Sequence, residues 1–316
     1  MSLTVGIVGL PNVGKSTLFN ALRSTQGKLS GLAEVANYPF TTIEPNVGVV
    51  PVPDERLEKL AKIYNAPIVP ATVSFTDIAG LIKGASKGEG LGNKFLSHIR
   101  EMDAICHVIR AFTDPDIIKQ GVVNPKEDFE TVKMELDLAD LDHPEAPPFS
   151  KKPILIALNV DEVDLKKAGE LEKKFSIELG VNQDQVVAIC AKTEAELAEL
   201  SGAEQAEYLK ELGVSKSGLE RLIQKAFKTL GLMTFLTAGV KEVRAWTIRN
   251  DTTALKAAGV IHTDFMKNFI AADVVKFDDF VKVDGWKQAR ELGKVRMEGR
   301  DYIVQDGDVI EFKIGS

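Results

Sequence analysis

The sequence is poor in cysteine and in long apolar runs, and each shortage excludes a class of protein. Only Cys106 and Cys190 occur among 316 residues. This count excludes a disulfide scaffold and a cysteine-based zinc ribbon, and it favours a reducing, cytoplasmic location. No apolar stretch reaches the roughly 18 residues that a membrane helix needs, so we expect no membrane partner. The first residues also lack the basic segment of a secretory signal peptide.

Net positive charge is lacking as well. The chain has 39 basic and 46 acidic residues, a formal net charge of −7. This balance argues against a protein that coats nucleic acid, and we expect no sequence-specific DNA binding. The acidic excess lies wholly before residue 233, because 233–316 contains 13 basic and 13 acidic residues. A local contact with RNA is therefore still compatible with the C-terminal part.

Short apolar runs alternate with amphipathic stretches over the first 230 residues or so. The runs predict strands at Leu3–Val8, Ala71–Phe75, Ala104–Ile109, Ile154–Leu158 and Val186–Ile189. The stretches between them predict helices at Lys15–Arg23, Asp54–Tyr64, Asn93–Glu101, Pro125–Leu141, Leu165–Leu179 and Ser217–Leu230. Such alternation predicts an α/β fold, with a mostly parallel sheet and helices on both faces.

The pattern changes near Leu232, so we expect one domain over 1–231 and a smaller α+β domain over 232–316. The second domain has short predicted strands at Val243–Ile248, Val274–Lys276, Tyr302–Val304 and Val309–Lys313. Within the first domain, Asp142–Pro153 contains four prolines in twelve residues. Prolines at this density end the preceding helix abruptly.

The segment Gly9–Ser16, GLPNVGKS, fits the phosphate-loop pattern G-x-x-x-x-G-K-[ST]. Its glycines let backbone N–H groups curl around phosphates, and the helix that begins near Lys15 directs its positive end at them. The Lys15 ammonium would face the β- and γ-phosphates, and the Ser16 hydroxyl would bind Mg²⁺. The flanking strand and helix supply the context that this motif requires.

Two later segments have the chemistry of a nucleotide switch. Asp77 follows a predicted strand and can hold Mg²⁺ through water, while the Gly80 N–H can reach a γ-phosphate. Upstream, Thr41 and Thr42 are both candidates to complete the Mg²⁺ shell. The stretch 80–92 has five glycines in thirteen residues, which suits a segment ordered only by a γ-phosphate.

The base-reading position departs from the N-K-x-D pattern of guanine-binding domains. The sequence there is Asn159-Val160-Asp161-Glu162, so a longer carboxylate occupies the place of the guanine-reading aspartate. This departure weakens the case for guanine and makes adenine plausible, although Asp161 could substitute by a register slip. Downstream, Cys190-Ala191-Lys192 matches the loop that backs the base through a main-chain N–H.

Together these motifs resemble the Obg-like ATPases, also called the YchF family, of the translation-factor class of P-loop proteins. The resemblance extends over nearly the whole chain. It is carried by GLPNVGKSTLFNAL at 9–22, NYPFTTIEPNVGVVP at 37–51, DIAGLIKGASKGEGLGNKFLSHIRE at 77–101, FLTAGVKEVRAWTIR at 235–249, AAGVIHTDFMKNFI at 257–270 and EGRDYIVQDGDVIEF at 298–312. It implies an ATP-preferring ATPase linked to ribosomes, built from a G domain, a helical insertion and a C-terminal ubiquitin-like TGS domain.

The resemblance also implies roles for particular residues. Ser16 and Thr42 would bind Mg²⁺. The nucleotide-binding set would be Asn12, Val13, Gly14, Lys15, Ser16, Thr17, Asn159, Val160 and Ala191, with Asn159 and Val160 facing adenine. Asn12 resembles an asparagine that binds a monovalent cation in potassium-activated relatives, so K⁺ could stimulate turnover.

The same resemblance places Leu81 where Ras-like enzymes have a catalytic glutamine. Leucine cannot orient water by hydrogen bonding, so we expect slow intrinsic hydrolysis or the use of another group. His107 and His98 are candidates for that group, although a histidine on an apolar strand is more often a packed core residue.

The chain departs from the family in one place. Members insert a helical domain of several dozen residues after a Leu-Ala-Asp-Leu segment, whereas Leu138–Leu141 here leads directly into Asp142–Pro153. The nucleotide motifs flank this gap and are complete.

Three functions are therefore compatible with the sequence. The first is a Mg²⁺-dependent ATPase switch at the ribosome or its large subunit. The others are a GTPase of ribosome assembly and a ribosome-bound adaptor whose nucleotide site is regulatory.

Overall fold

The computed structural model describes residues 4–27, 47–78, 91–113, 123–142 and 144–315. These residues form two compact units. The first contains 4–27, 47–50 and the described part of 73–230, and the second contains 51–72 and 231–315. The segment 51–72, expected in the first domain from the sequence, belongs in the structure to the second unit together with the C-terminal residues.

A six-stranded sheet forms the centre of the first unit. Its strands are β1 (Thr4–Val8), β2 (Val47–Pro51), β4 (Thr72–Asp77), β5 (Ala104–Arg110), β6 (Ile154–Asn159) and β7 (Val186–Ile189). Their spatial order is β2-β4-β1-β5-β6-β7. The pairs β1–β4, β1–β5, β5–β6 and β6–β7 are all parallel. The prediction of a mostly parallel sheet is confirmed.

Helices follow the strands of this sheet. They are α1 (Lys15–Gly27), α3 (Leu91–Glu101), α4 (Pro125–Asp142), α5 (Ala168–Leu179), α6 (Ala191–Glu199), α7 (Gly202–Glu211) and α8 (Gly218–Thr229). Every residue of β5 is buried, as expected for a central strand covered on both faces. Parallel strands end at the same edge, so the loops after β1, β4, β5, β6 and β7 lie at one edge of the sheet.

The proline-rich junction between α4 and β6 is short and well packed. The Asp140 carboxylate accepts hydrogen bonds from the backbone N–H groups of Phe149 (2.8 Å) and Ser150 (3.2 Å). The Phe149 side chain is buried in the cluster that contains Ile99 and Val132. The Arg100 guanidinium lies 4.6 Å from the centre of the Phe149 ring. These contacts join α4 to β6 without an intervening domain.

The second unit is built on another six-stranded sheet, which is mixed. Its strands are β3 (Ile68–Val69), β8 (Leu232–Ala238), β9 (Val243–Arg249), β10 (Phe269–Lys276), β11 (Arg296–Glu298) and β12 (Asp308–Ile314). Their order is β11-β10-β12-β8-β9-β3. The helices are α2 (Glu55–Tyr64), α9 (Ala254–Ile261), α10 (Thr263–Lys267), α11 (Phe277–Lys282) and α12 (Trp286–Glu291). The expected α+β class is confirmed.

The strand predicted at Tyr302–Val304 is wrong. Ile303 makes only an isolated bridge with Thr253. The Asp308 carboxylate instead accepts hydrogen bonds from the Tyr302 hydroxyl (2.7 Å) and the Gln305 N–H (2.9 Å). These local bonds stabilise a turn in place of a strand ladder.

Arg56 connects α2 to the C-terminal residues of the second unit. Its guanidinium binds the Asp54 carboxylate at 2.8 Å and the Asp306 carboxylate at 2.9 Å. It also donates to the Thr234 hydroxyl at 2.9 Å. A planar guanidinium suits several directed bonds of this kind.

We predict that Arg56→Gln destabilises the second unit. The substitution removes three partners from a side chain that is only 27% exposed, so the expected loss is about 1–2 kcal/mol of unfolding free energy after allowance for solvent screening. Denaturant unfolding of the full chain measures it. Lys59→Gln on the same helix is the control, since Lys59 is exposed, and an equal loss in both variants would contradict the prediction.

Candidate nucleotide-binding site

The GLPNVGKS loop connects the end of β1 to the start of α1. Its backbone has positive φ angles at Gly9 (152°), Asn12 (62°) and Gly14 (99°). A Cβ atom on Gly9 would lie 2.4 Å from the Val108 carbonyl oxygen, so the loop requires glycine there for close approach as well as for its φ angle. The predicted strand–loop–helix context of a phosphate loop is confirmed.

Side chains at the start of α1 are arranged for an anion. Ser16 and Thr17 are exposed, and they lie in the first turn of a thirteen-residue helix whose first N–H groups attract negative charge. Lys15 is only 8% exposed, and its ammonium donates to the Leu10 carbonyl at 2.7 Å. Burial lowers the pKa of Lys15, and the nearby Asp77 carboxylate partly opposes this shift.

Asp77 lies at the end of β4, beside β1, where its register partner is Ile7. Burial raises the pKa of the half-buried Asp77 carboxyl, and Lys15 acts in the opposite direction. Asp77 and Lys15 are therefore electrostatically coupled at the same edge of the sheet. Thr42, Gly80 and Leu81, which the sequence assigned to the metal shell and the catalytic loop, lie outside the described residues.

Asn159, at the end of β6, bonds to two loops from the interior. Its amide nitrogen donates to the Val13 carbonyl at 2.9 Å, and its amide oxygen accepts the Ala191 N–H at 2.9 Å. The residue is 5% exposed. A direct contact between Asn159 and adenine stays a prediction, because the structure shows this amide engaged with backbone groups.

Base contacts by Val160 and Ala191 likewise stay predictions, and the structure shows the surroundings of both residues. The Val160 side chain is buried in the apolar cluster that includes Ile109 and Leu158, so it points away from solvent. The Ala191 N–H, expected to back the base, is taken by Asn159. Val13 is likewise buried, which leaves its backbone rather than its side chain for phosphate binding.

Both carboxylates after β6 are held by hydroxyl groups. One oxygen of Asp161 accepts the Thr113 N–H at 3.0 Å and the Thr113 hydroxyl at 2.7 Å. One oxygen of Glu162 accepts the Thr193 hydroxyl at 2.9 Å and the Tyr208 hydroxyl at 3.1 Å. Sequence reasoning missed these three hydroxyl residues, since they lie 31 to 48 positions from their partners.

His107 does not have the surroundings expected of a proton-transfer group. It lies within β5, is 1% exposed, and stacks on Phe129 with ring centres 5.6 Å apart. Its Nε2 atom is buried without a hydrogen-bond partner among the described residues. Burial and, to a smaller extent, Lys15 lower the pKa of His107 to about 3. The imidazole is therefore a neutral core group; His98 is exposed on α3.

Among the residues that the structure describes, no group of three or more histidine, cysteine, aspartate or glutamate side chains could hold a metal ion. No helix in this part of the chain is long and apolar enough to cross a membrane.

The parallel sheet and the phosphate loop define a P-loop nucleotide hydrolase. A family profile named MMR_HSR1, 50S ribosome-binding GTPase, matches residues 4–160. A second profile, YchF-GTPase_C, described as a protein of unknown function (DUF933), matches residues 232–315.

Whole-chain relatives identify the family. The ribosome-binding ATPase YchF of Bacillus subtilis is 46% identical over 369 aligned residues, and that of Haemophilus ducreyi is 47% identical over 366; each alignment covers 99% of both chains. The structure of the Schizosaccharomyces pombe YchF GTPase matches with a TM-score of 0.79 and 32% identity, covering 99% of this chain and 98% of that one. The chain belongs to the YchF family, which confirms the resemblance found in the sequence.

The same alignments bear on the expected helical insertion. They extend over 366 and 369 positions, while the chain has 316 residues. At least 50 positions (366 − 316) of these alignments therefore lack a residue in this chain. This shortfall agrees with an absent insertion.

We predict that Gly14→Ala weakens nucleotide binding while leaving the chain folded. A Cβ atom at Gly14 would lie 2.3 Å from the Asn159 amide nitrogen, and the φ angle of 99° disfavours any side chain. We expect affinity for nucleoside triphosphates to fall at least tenfold, measured by titration calorimetry.

Gly169→Ala is the matched control for this substitution. Gly169 lies within α5, and a Cβ atom there would contact nothing within 4 Å. Affinity should be unchanged in this variant and its stability should rise slightly, by about 0.5–1 kcal/mol. Unaltered binding by Gly14→Ala would contradict the assignment of this loop.

We predict that His107→Leu flattens the acid dependence of stability. The unfolded chain binds a proton at His107 below its ordinary pKa of 6.5, whereas the folded chain does so only near pH 3. Stability is therefore lost as the pH falls through this window. Between pH 7 and pH 5 the wild type should lose about 2 kcal/mol more than the variant in denaturant unfolding.

Replacement of the exposed His98 by glutamine serves as the control. This variant should keep the pH dependence of the wild type. A wild-type slope in His107→Leu would show that His107 titrates normally and is accessible to protons.

Proposed function

We propose that this protein is a Mg²⁺-dependent ATPase switch that acts at the ribosome or its large subunit, in the cytoplasm. The observation that carries the proposal is the strained GLPNVGKS loop at the start of α1, with Lys15 buried beneath it and Ser16 and Thr17 exposed. The bacterial relatives named ribosome-binding ATPase support the choice of ATP and of the ribosome.

Magnesium would be held mainly by the nucleotide itself. Mg²⁺ on a nucleoside triphosphate needs only one or two protein oxygens, with phosphates and water completing its shell. The exposed Ser16 hydroxyl and the half-buried Asp77 carboxylate suit this role, and Thr42 is proposed as the further ligand. When bound, the ion neutralises charge that develops on the phosphates.

The protein groups would bind and orient the triphosphate. Lys15 would exchange its bond with the Leu10 carbonyl for phosphate oxygens, which suits an ammonium that is already desolvated. The Gly80 N–H would bind the γ-phosphate, and Leu81 would exclude water without orienting it. Slow turnover is expected from this set, since His107 is buried and neutral. K⁺ bound near Asn12 is proposed as a stimulator only.

A GTPase is the second candidate. It is supported by the profile for a 50S ribosome-binding GTPase and by the fission yeast relative, whose structure carries the name GTPase. Against guanine stands Glu162, which occupies the position of the guanine-reading aspartate and is bound to Thr193 and Tyr208.

The decisive experiment compares ATP and GTP in the same Mg²⁺ buffer. Equilibrium titration with fluorescent analogues should give tighter binding of ATP, and phosphate release should be slow and dependent on Mg²⁺. Asp77→Asn should weaken the Mg²⁺ dependence, because it removes a negative charge near the ion. A GTP affinity tenfold above that for ATP would exclude the ATPase assignment.

The Lys15→Ala variant distinguishes an ATPase switch from a ribosome-bound adaptor whose nucleotide site is regulatory. Loss of the ammonium should abolish triphosphate binding, and ribosome association should then lose its nucleotide dependence in co-sedimentation. Full replacement of the wild type in cells by Lys15→Ala would favour the adaptor.

A further inference from the structure

The two carboxylates after β6 lie on the segment that reads the base in nucleotide-binding domains of this fold. A carboxylate there favours guanine, because it only accepts hydrogen bonds and guanine presents two adjacent N–H donors. Adenine presents one N–H donor beside N1. Because N1 is an acceptor, its lone pair and a carboxylate oxygen would repel each other. The base preference therefore depends on whether the Asp161 and Glu162 carboxylates are free to accept hydrogen bonds from the base.

The protein holds each carboxylate from a different element. Asp161 precedes the 3₁₀ helix Glu162–Lys167, and Thr113, just after β5, binds it through both N–H and hydroxyl. The hydroxyl bond is 2.7 Å long, the usual length of an O–H···O hydrogen bond. One oxygen is therefore engaged, and a bidentate contact with guanine needs both.

Glu162 is held from α6 and α7. Thr193 is 1% exposed, so its hydroxyl has little access to water and bonds to Glu162 instead. Tyr208 is shared between Glu162 at 3.1 Å and Glu196 at 3.3 Å. Burial and the two carboxylates raise the pKa of Tyr208 to about 12, so the phenol keeps its proton at physiological pH.

We propose that Tyr208 and Thr193, together with Thr113, set base preference as positioning residues, by holding the Glu162 and Asp161 carboxylates out of reach of the base. The inference rests on the proposed nucleotide-binding function and gives its selectivity a physical cause. Specificity is a difference of two affinities, so withdrawing acceptors from guanine lowers its binding relative to adenine.

Two variants release the Glu162 carboxylate from its hydroxyl partners with little change in side-chain volume. Tyr208→Phe removes one hydroxyl, and the double variant Tyr208→Phe/Thr193→Val removes both. We expect the ratio of ATP to GTP affinity to fall roughly three- to tenfold in the double variant, since a released carboxylate gains about one hydrogen bond to guanine. Titration of the full-length chain with fluorescent ATP and GTP analogues, at fixed Mg²⁺, measures the ratio.

Two controls separate positioning from general structure. In a Glu162→Gln background the same double substitution should leave the ratio unchanged, because no carboxylate is released. Glu196→Gln alone should also leave it unchanged, although it removes the charge of the other carboxylate that Tyr208 contacts. Equal weakening of both nucleotides, with a lowered melting temperature, would reduce the hydroxyl groups to a structural role and overturn the proposal.

Thr113→Val tests the second carboxylate independently. The hydroxyl bond to Asp161 is lost while the backbone N–H is kept, so a smaller fall in the ratio is expected, abolished in an Asp161→Asn background. A wild type that binds neither nucleotide would overturn the proposed function and this inference with it. A wild type that prefers ATP, with an unchanged ratio in every hydroxyl variant, would overturn this inference alone.

Discussion

One buried amide, that of Asn159, connects the loops on which the candidate site depends. Its nitrogen binds the Val13 carbonyl of the phosphate loop and its oxygen binds the Ala191 N–H after β7, both at 2.9 Å. Leaving either partner unpaired in the interior would cost about 1–3 kcal/mol. Gly14 must be glycine because this amide lies so close to it. The loop conformation and the β6–β7 edge are therefore a single structural unit.

Near this amide, hydroxyl groups hold two carboxylates in place by hydrogen bonds. Thr113 fixes Asp161, while Thr193 and Tyr208 fix Glu162. The phosphate side of the site differs, since Ser16 and Thr17 are exposed and the Lys15 ammonium donates to the Leu10 carbonyl. In the proposed function, backbone geometry would prepare triphosphate binding, and the restraint of acidic side chains would set base selection.

Local motifs in the sequence predicted the parts of this site that depend on neighbouring residues. The phosphate loop, the strand before it and the helix after it need only a few consecutive residues, and all were predicted. The groups that bind the side chains of Asn159, Asp161 and Glu162 come from segments 31 to 146 positions away. Hydrophobic periodicity in the sequence does not reveal contacts at such separations. The same limit explains why 51–72 was assigned to the wrong unit, since Arg56 finds Asp306 only in the folded chain.

The role of the Asn159 amide is tested most directly by the affinity of an Asn159 variant for inorganic triphosphate, a ligand that has no base. Asn159→Ala should weaken inorganic triphosphate and ATP by the same factor, about tenfold or more, because the substitution releases the phosphate loop. Titration calorimetry with both ligands, at one Mg²⁺ concentration, gives the two factors. A variant that keeps its affinity for inorganic triphosphate but loses it for ATP would contradict the role assigned here to the Asn159 amide, and would instead support the adenine contact predicted from the sequence.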